Sequence, residues 1–128
     1  MCKVGKVVYI YAYEPTGGTV EADFSSIYVD GAAVTAGYYK IPKGKKLKIA
    51  EVDVASLQDT IGFITLSKDV GTTTPTWQNI KAVTGGRSWR FPLIIGAVDA
   101  DYGIKFRYIQ STPAPCYMAV HGEIEDLE

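Results

Sequence analysis

The sequence predicts an all-β fold, a single antiparallel β-sandwich that is jelly-roll-like and has about eight or nine strands. Three observations predict it. Apolar and polar residues alternate with a period of two along most of the chain, turn residues recur every 8 to 12 residues, and no stretch of 12 residues keeps a helical period. The 128 residues have the length of one domain, which we assign to residues 1–126. The last two residues, Leu-Glu at 127–128, are interpreted as a cloning scar.

The first strand is predicted in KVVYIYAY, residues 6–13. Tyr9 and Tyr11 fall on one of its faces, and Ile10 and Ala12 fall on the other. Because both faces are apolar or aromatic, we expect this strand to be covered on both sides, with the tyrosines filling a half-buried sheet face.

The later strands carry more specific signals. Asp30-Gly31 predicts a tight turn. In the strand predicted at 46–55 the apolar phase flips near Ala50, which indicates a β-bulge or a strand that switches sheets. Pro92 confines the strand SWRFPLIIGA to a sheet edge or a kink, because proline donates no ladder hydrogen bond. TGGR predicts a hairpin turn, and STPAP is predicted to close a long final hairpin.

Composition and charge argue against several classes of function. Thirteen basic and 14 acidic residues give a net charge of -1, which argues against a nucleic-acid partner. The apolar stretches are far shorter than the roughly 20 residues that cross a bilayer, so no membrane insertion is predicted. The N-terminus lacks a small-residue cleavage site, so we predict no secretory signal. Cys2 and Cys116 are predicted to be free thiols, and a disulfide stays open as an alternative if the terminal strands pair.

The stretch TLSKDVGTTTPTWQNI resembles the Asp-box of sialidases and many β-propellers. The residues that carry the resemblance are Ser67, Asp69, Gly71, Thr73 and, at a longer spacing than in the family, Trp77. In those families the box is a structural turn remote from catalysis, and the resemblance implies the same here. Its physical logic is that the aspartate accepts amide hydrogen bonds across the turn, the glycine tolerates positive φ, and the aromatic ring packs at the base of the hairpin.

The sequence contains no recognisable catalytic constellation, so we predict no enzymatic activity and no cofactor. Asp99 and Asp101 are candidate calcium ligands, but a calcium loop needs more oxygen ligands, and a solvated turn is favoured. His121 is the single histidine, and one histidine with two distant cysteines does not predict a zinc site. A nucleophile pair of Cys116 and His121 is disfavoured, because an odd spacing places them on opposite faces of one strand.

Aromatic residues are the most informative feature, with nine Tyr, four Phe and two Trp. Exposed Tyr and Trp stack on sugar rings or form protein interfaces. If the protein binds a glycan, the candidate binding residues are Trp77, Asn79, Arg87 and Trp89. The lysine run KGKKLK is interpreted as solvated, or as protection of a sheet edge against pairing.

Three longer stretches carry a wider resemblance. YYKIPKGKKLKIAEVDV, GFITLSKDVGTTTPTW and GIKFRYIQSTPAPCYMAVHGEIE together resemble small jelly-roll or β-sandwich accessory proteins of viruses and phages. The resemblance implies a non-enzymatic, capsid-decorating or tail-associated protein that forms a homo-oligomer, with a trimer favoured. It also implies a place in the virion, after assembly in the host cytoplasm. The shared motifs are turn residues, so no binding residue is carried over.

Two functional hypotheses follow. The first is a structural assembly protein that acts through contacts with copies of itself and with a larger assembly such as a capsid. The alternative is a carbohydrate-binding β-sandwich that uses exposed Tyr or Trp. The alternative predicts aromatic residues gathered on one concave face or at loop tips, with Asp, Asn or Arg beside them for the sugar hydroxyls.

Overall fold

The computed structural model describes residues 5–127, apart from the side chains of residues 87–92. These residues form eleven β-strands and no helix, so the described chain has no helical segment long and apolar enough to cross a membrane. The strands are β1 (Lys6–Glu14), β2 (Ala22–Asp23), β3 (Ser26–Val29), β4 (Ala32–Ala33), β5 (Tyr39–Ile41), β6 (Lys45–Ser56), β7 (Thr60–Ser67), β8 (Gln78–Thr84), β9 (Arg87–Gly96), β10 (Tyr102–Gln110) and β11 (Cys116–Asp126).

The strands lie in two antiparallel sheets that pack as a β-sandwich, which confirms the predicted fold class. Sheet A has the order β4-β3-β1-β11-β6-β9, and sheet B has the order β2-β10-β7-β8, with β5 also paired to β10. The pairs are nested: β1 with β11, β2 and β5 with β10, β6 with β9, and β7 with β8. A long hairpin wound upon itself produces this nesting, and it is the arrangement of a jelly roll.

The core lies between the inner faces of the two sheets. Sheet A contributes Ile10, Val52 and Met118, and sheet B contributes Ile64 and Phe106, all without solvent exposure. Because successive side chains of a strand point to opposite faces, filling the core with these residues directs their neighbours outward. The outer faces of the two sheets are therefore set by the same alternation.

Strand β6 contains the irregularity predicted near Ala50. Its register with β9 shifts between Ile49 and Glu51, and its register with β11 shifts between His121 and Gly122. Ala50 is one extra residue of β6 with respect to β11, whereas with respect to β9 the extra residue lies in β9. The β-bulge at Ala50 explains the change in apolar phase.

Two other local predictions are confirmed. Asp30 and Gly31 have φ values of 51° and 87° in the turn that joins β3 to β4, the positive pair that a type I′ hairpin requires. Strand β9, which includes Pro92, is one of the two edge strands of sheet A.

Three strand predictions are wrong. The structure has eleven strands rather than eight or nine, because residues 22–41 form four short ones. TGGR connects β8 in sheet B to β9 in sheet A, and STPAP connects β10 in sheet B to β11 in sheet A, so neither closes a hairpin. The same turn residues serve a hairpin and a crossing between sheets, so turn chemistry does not distinguish the two.

The cysteines differ in what the structure describes. Cys2 lies outside the described residues. Cys116 is buried with a free thiol, and burial, reinforced by the charge of Glu14, raises the pKa of this thiol to about 11. A thiol with so high a pKa stays protonated near neutral pH and is a poor nucleophile.

Candidate functional site

The outer face of sheet A carries a cluster of tyrosines. Strand β1 directs Ile10 and Ala12 into the core, so alternate residues of the same strand point outward. Strands β3 and β11, on either side of β1, each add one more tyrosine. We call this surface the tyrosine face, and it consists of Tyr9, Tyr11, Tyr13, Tyr28 and Tyr117.

Tyr11 lies at the centre of the tyrosine face. Its ring centroid is 5.5 Å from that of Tyr117, 6.2 Å from that of Tyr28 and 6.4 Å from that of Tyr13. Aromatic pairs at such distances contribute about 0.5–1.5 kcal/mol each beyond the burial of area. The rings therefore hold one another in place as a preformed surface.

Strand register explains why the rings meet. Tyr11 lies opposite Tyr28 of β3 and opposite Ala119 of β11, while Tyr13 lies opposite Tyr117. Ala119 is on the outer side of β11 but is 4% exposed, so the neighbouring rings cover it. Its small side chain leaves the space in which the rings approach.

No other element of the described chain covers the tyrosine face. Tyr9 and Tyr117 are 37% and 38% exposed, and the flanking Val7 and Ile94 are 71% and 57% exposed. A shallow depression of about 490 Å³ lies between Val7, Ile94 and His121. The expectation that β1 is covered on both sides is therefore wrong for a single chain, because only its inner face packs against sheet B.

The tyrosine face is uncharged at its centre. Burial raises the pKa of the Tyr11 hydroxyl, and its tyrosine neighbours, Tyr117 foremost, raise it further. The hydroxyl therefore stays neutral at physiological pH, and covering it costs much less than covering a charge.

Ionisable groups lie beside the rings. His121 pairs with Tyr9 across β1 and β11, and the two ring centroids are 4.8 Å apart. Glu51 lies opposite His121 on β6, and Asp53 follows two residues along the same side of that strand. These three side chains bring an imidazole and two carboxylates together at the margin of the tyrosine face.

Trp77, a glycan-binding candidate, is half-buried next to sheet B. Its ring centroid is 5.6 Å from that of Tyr38, and the Nζ atom of Lys105 lies 4.5 Å from its centroid. Its ring edge also lies over Gly103, where an added Cβ atom would approach it to 3.2 Å. The tryptophan therefore already has partners within the chain.

The other three glycan-binding candidates do not join it in one described site. Asn79 accepts a hydrogen bond from the Thr65 hydroxyl at 2.7 Å and donates one to Glu21 at 2.9 Å, so both ends of its amide are engaged. Arg87 and Trp89 lie in strand β9 of sheet A, whereas Asn79 lies in sheet B. The side chains of Arg87 and Trp89 are outside the described residues.

The Asp-box-like residues form the turn between β7 and β8. The Ser67 hydroxyl donates a hydrogen bond to the Asp69 carboxylate, which also accepts the amide of Thr76 at 2.9 Å. These bonds, that from Ser67 foremost, hold the pKa of Asp69 below its ordinary value. Gly71 has a φ of 100°, and Thr73 is exposed in the same turn.

The two calcium-ligand candidates lie just before β10, whose first residues pair with the end of β7, so they are at the same end of sheet B as the Asp-box-like turn. Asp99 is exposed, and Asp101 accepts the amide of Lys43 at 2.8 Å and lies 3.9 Å from the Lys40 ammonium. Among the described residues, the acidic side chains close enough to share an ion with other ligands are elsewhere, beside His121.

The sequence alone does not predict that the tyrosines of β1 contact Tyr117 and His121 of β11 on sheet A. The alternation of YIYAY gives one row of tyrosines on β1, and the alternation of CYMAVH places Tyr117 and His121 on one side of β11. The contact between these rows depends on pairing the first long strand with the last. No local pattern reports that pairing.

Comparison of the sequence with protein-family models and with curated proteins finds no match. The interpretation of the tyrosine face therefore depends on its geometry and chemistry.

Proposed function

We propose that this chain is a non-enzymatic structural protein that self-associates through the tyrosine face and acts by protein–protein contacts. The state proposed is a homo-oligomer. Three copies are the number implied by the resemblance to viral and phage accessory proteins, and a capsid or tail is the larger assembly implied by it. The location that goes with this function is the virion.

The observation that carries the proposal is the uncovered aromatic surface of sheet A. Interface cores are enriched in tyrosine and depleted in charge, whereas their rims are polar. The tyrosine face has this composition, with neutral rings at its centre and the ionisable residues Glu51, Asp53 and His121 at its margin. An exposed apolar surface of this kind is a common mark of a protein contact.

A second copy is the partner that we favour. The rings are already packed on one another, so little side-chain freedom is lost when they are covered. Oligomers of identical chains are the common way in which proteins bury such a surface, and closed symmetry leaves none of it exposed. The jelly-roll fold, which viral capsid proteins and lectins share, supports both hypotheses by analogy and decides between neither.

Carbohydrate binding is less well supported by the same residues. Trp77 and Asn79 are engaged within the chain, as the Lys105 and Glu21 contacts show. At the centre of the tyrosine face the rings contact other rings, and the described charged groups that would bind sugar hydroxyls lie at its margin. Glycan binding is therefore an outcome of the test rather than the proposal.

The test is the native mass in solution, measured by light scattering over a dilution series. We expect the wild-type chain to have a multiple of its 13.9 kDa mass. Tyr117→Asp places a charge in the proposed contact and is expected to weaken association by at least about 100-fold, giving a single-chain mass. The matched control is Ile61→Asp, since Ile61 is 39% exposed on sheet B and Tyr117 is 38% exposed on sheet A.

Two outcomes contradict the proposal. One is a wild-type chain that stays monomeric throughout the series, and the other is an equal loss of mass in both variants. A monomeric wild type that binds glycans, and loses that binding in Tyr117→Asp, favours the carbohydrate-binding alternative.

A further inference from the structure

We propose that Glu51, Asp53 and His121 form a binding site for one divalent transition-metal ion of the zinc class. The site lies at the margin of the tyrosine face but does not require self-association, because all three ligands come from one chain. It is also a different site from Asp99 and Asp101, the two candidate calcium ligands of the sequence analysis.

The strand register places the three ligands together. His121 of β11 lies directly opposite Glu51 of β6, and Asp53 lies two residues along β6 on the same outer side. Their ligand atoms all lie within 4.8 Å of one another. Ligands around a tetrahedral zinc ion, each bound at about 2.0–2.2 Å, are separated by about 3.3 Å. Small side-chain rotations would shorten the separation of the ligand atoms from up to 4.8 Å to the value required around zinc.

The surroundings favour a defined site. Strands β6 and β11 lie inside sheet A and are paired on both sides, so the backbone that carries the ligands is rigid. The His121 ring packs against the Tyr9 ring at 4.8 Å, which restricts its orientation. The β-bulge at Ala50 lies next to the ligands, and bulges often re-aim a side chain beside a functional site.

The set of ligands selects the metal. One imidazole nitrogen with two carboxylates suits zinc, cobalt or nickel, whereas calcium takes six to eight oxygens and magnesium prefers oxygen and water. Three protein ligands leave a fourth position open to water or to a group from another molecule. Glu51 has a further interaction in the structure, with which the ion competes. Asp53 and His121 are therefore the more informative positions to change.

The experiment is a calorimetric titration of the untagged full chain with Zn²⁺, accompanied by the visible absorption spectrum with Co²⁺. We expect one zinc ion per chain, no binding of Mg²⁺ or Ca²⁺ at the same concentrations, and a Co²⁺ spectrum of low coordination number. His121→Ala is expected to weaken zinc binding by at least about tenfold, and Asp53→Asn to weaken it by a smaller factor. The matched control is Glu123→Gln, a carboxylate on the same side of β11, which leaves binding unchanged.

The proposal is overturned if zinc does not bind, if it binds equally well to His121→Ala, or if Ca²⁺ binds as tightly as Zn²⁺. Circular dichroism of each variant confirms that the fold is retained. Zinc titration of Tyr117→Asp separates the two proposals, since a monomeric chain that still binds zinc sustains the metal site whatever the outcome for self-association.

Discussion

Sheet A and sheet B each bury one face in the core, and their outer faces have different chemistry. On the outer face of sheet B, Arg107 donates to Glu21 at 2.7 Å, and Lys105 lies 3.3 Å from Asp23. The Nε atom of Arg107 lies 3.0 Å from Asp23 without hydrogen-bond geometry, so this contact is an ion pair only. The charges of this face are thus largely matched within the chain.

On the outer face of sheet A an ion pair of Lys48 with Glu125 lies towards one end, and the tyrosine rings at the centre contact other rings. Val7 and Ile94 are more than half exposed on the same face, in one row across the sheet with Glu123 and Lys48 between them. Charged side chains that form ion pairs within one chain and are hydrated by water need no partner molecule to satisfy their charges. Covering an aromatic surface is favourable, by roughly 25 cal/mol for each Å² of apolar area that is removed from water.

This difference makes the outer face of sheet A the better candidate for a contact with another molecule. Both sheets follow the same alternation, so the fold itself does not require tyrosines on the outer side of β1. Charged residues occupy the outer side of sheet B instead, and the ring contacts on sheet A add to its own stability. Because Tyr9 and Tyr117 nevertheless stay more than a third exposed, the surface supports the proposed contact with a second copy.

Apart from the charge introduced by Tyr117→Asp, the largest effect that we predict is the loss of the central ring of the tyrosine face. Tyr11→Ala removes the ring that contacts Tyr13, Tyr28 and Tyr117. We expect the dissociation constant for self-association to rise by at least about 30-fold, since central aromatic residues of an interface contribute about 2 kcal/mol or more. Sedimentation equilibrium over a range of concentrations measures it.

Tyr11→Phe is the control for Tyr11→Ala, because it keeps the ring and removes only the hydroxyl. We expect it to associate nearly as well as the wild type. If Tyr11→Ala associates normally, sheet A is not the contact surface, and the comparison between the two faces loses its functional meaning.

A smaller effect, of the opposite kind, is predicted on sheet B. Arg107→Ala removes the hydrogen bond to Glu21 and the ion pair with Asp23. We expect the free energy of unfolding of the variant to fall by about 1–2 kcal/mol, because these groups are partly exposed and pair with more than one partner. The native mass should be unchanged.

Denaturant titrations at low and high salt test the Arg107 prediction. The difference from the wild type should shrink in high salt, because screening weakens exposed ion pairs. If Arg107→Ala changes the native mass without a loss of stability, the self-association that we propose for sheet A takes place through sheet B instead.

Much of this fold is predictable from the sequence, because it depends on local patterns. The period of two identifies the long strands, the phase change at Ala50 identifies the bulge, and Pro92 identifies an edge strand. These signals work because each depends on a residue and its immediate neighbours. The crossings at TGGR and STPAP fail for the opposite reason, since whether two strands pair depends on the whole sheet order.

The candidate site shows the same limit more sharply. Tyr9 and Tyr117 are far apart in the chain and meet because β1 pairs with β11. Likewise His121 meets Glu51 through the pairing of β11 with β6, and that register is offset by the bulge. A single sequence shows which side of its own strand each residue takes, but not which strand lies beside it. The side chains of Arg87 and Trp89 lie outside the described residues, so their part in glycan binding stays a prediction.

The smallest predicted effect tests whether the tyrosine face and the fold respond to acid separately. Glu14 ends the strand that carries the tyrosines, but it is buried and accepts hydrogen bonds from Thr16 and Ser25. Burial by itself raises the pKa of this carboxyl, but the hydrogen bonds together outweigh it, so the pKa is lowered. A carboxyl with a lowered pKa stabilises the fold above its unfolded pKa of about 4.5, and that contribution is lost as the pH falls through the lower, folded value.

Glu14→Gln should therefore be less stable than the wild type by about 1 kcal/mol at pH 7, and the difference should disappear at strongly acidic pH, where Glu14 is protonated in both the folded and unfolded chain. Urea titrations of both proteins at a series of pH values measure it. Above the acid transition we expect the two proteins to have the same native mass, because Glu14 points inward and the rings are neutral. If Glu14→Gln changes the mass at pH 7, the inner and outer sides of β1 are coupled, and the tyrosine face is not an independent surface. If the stability difference persists at low pH, the glutamine acts through lost packing rather than through the charge.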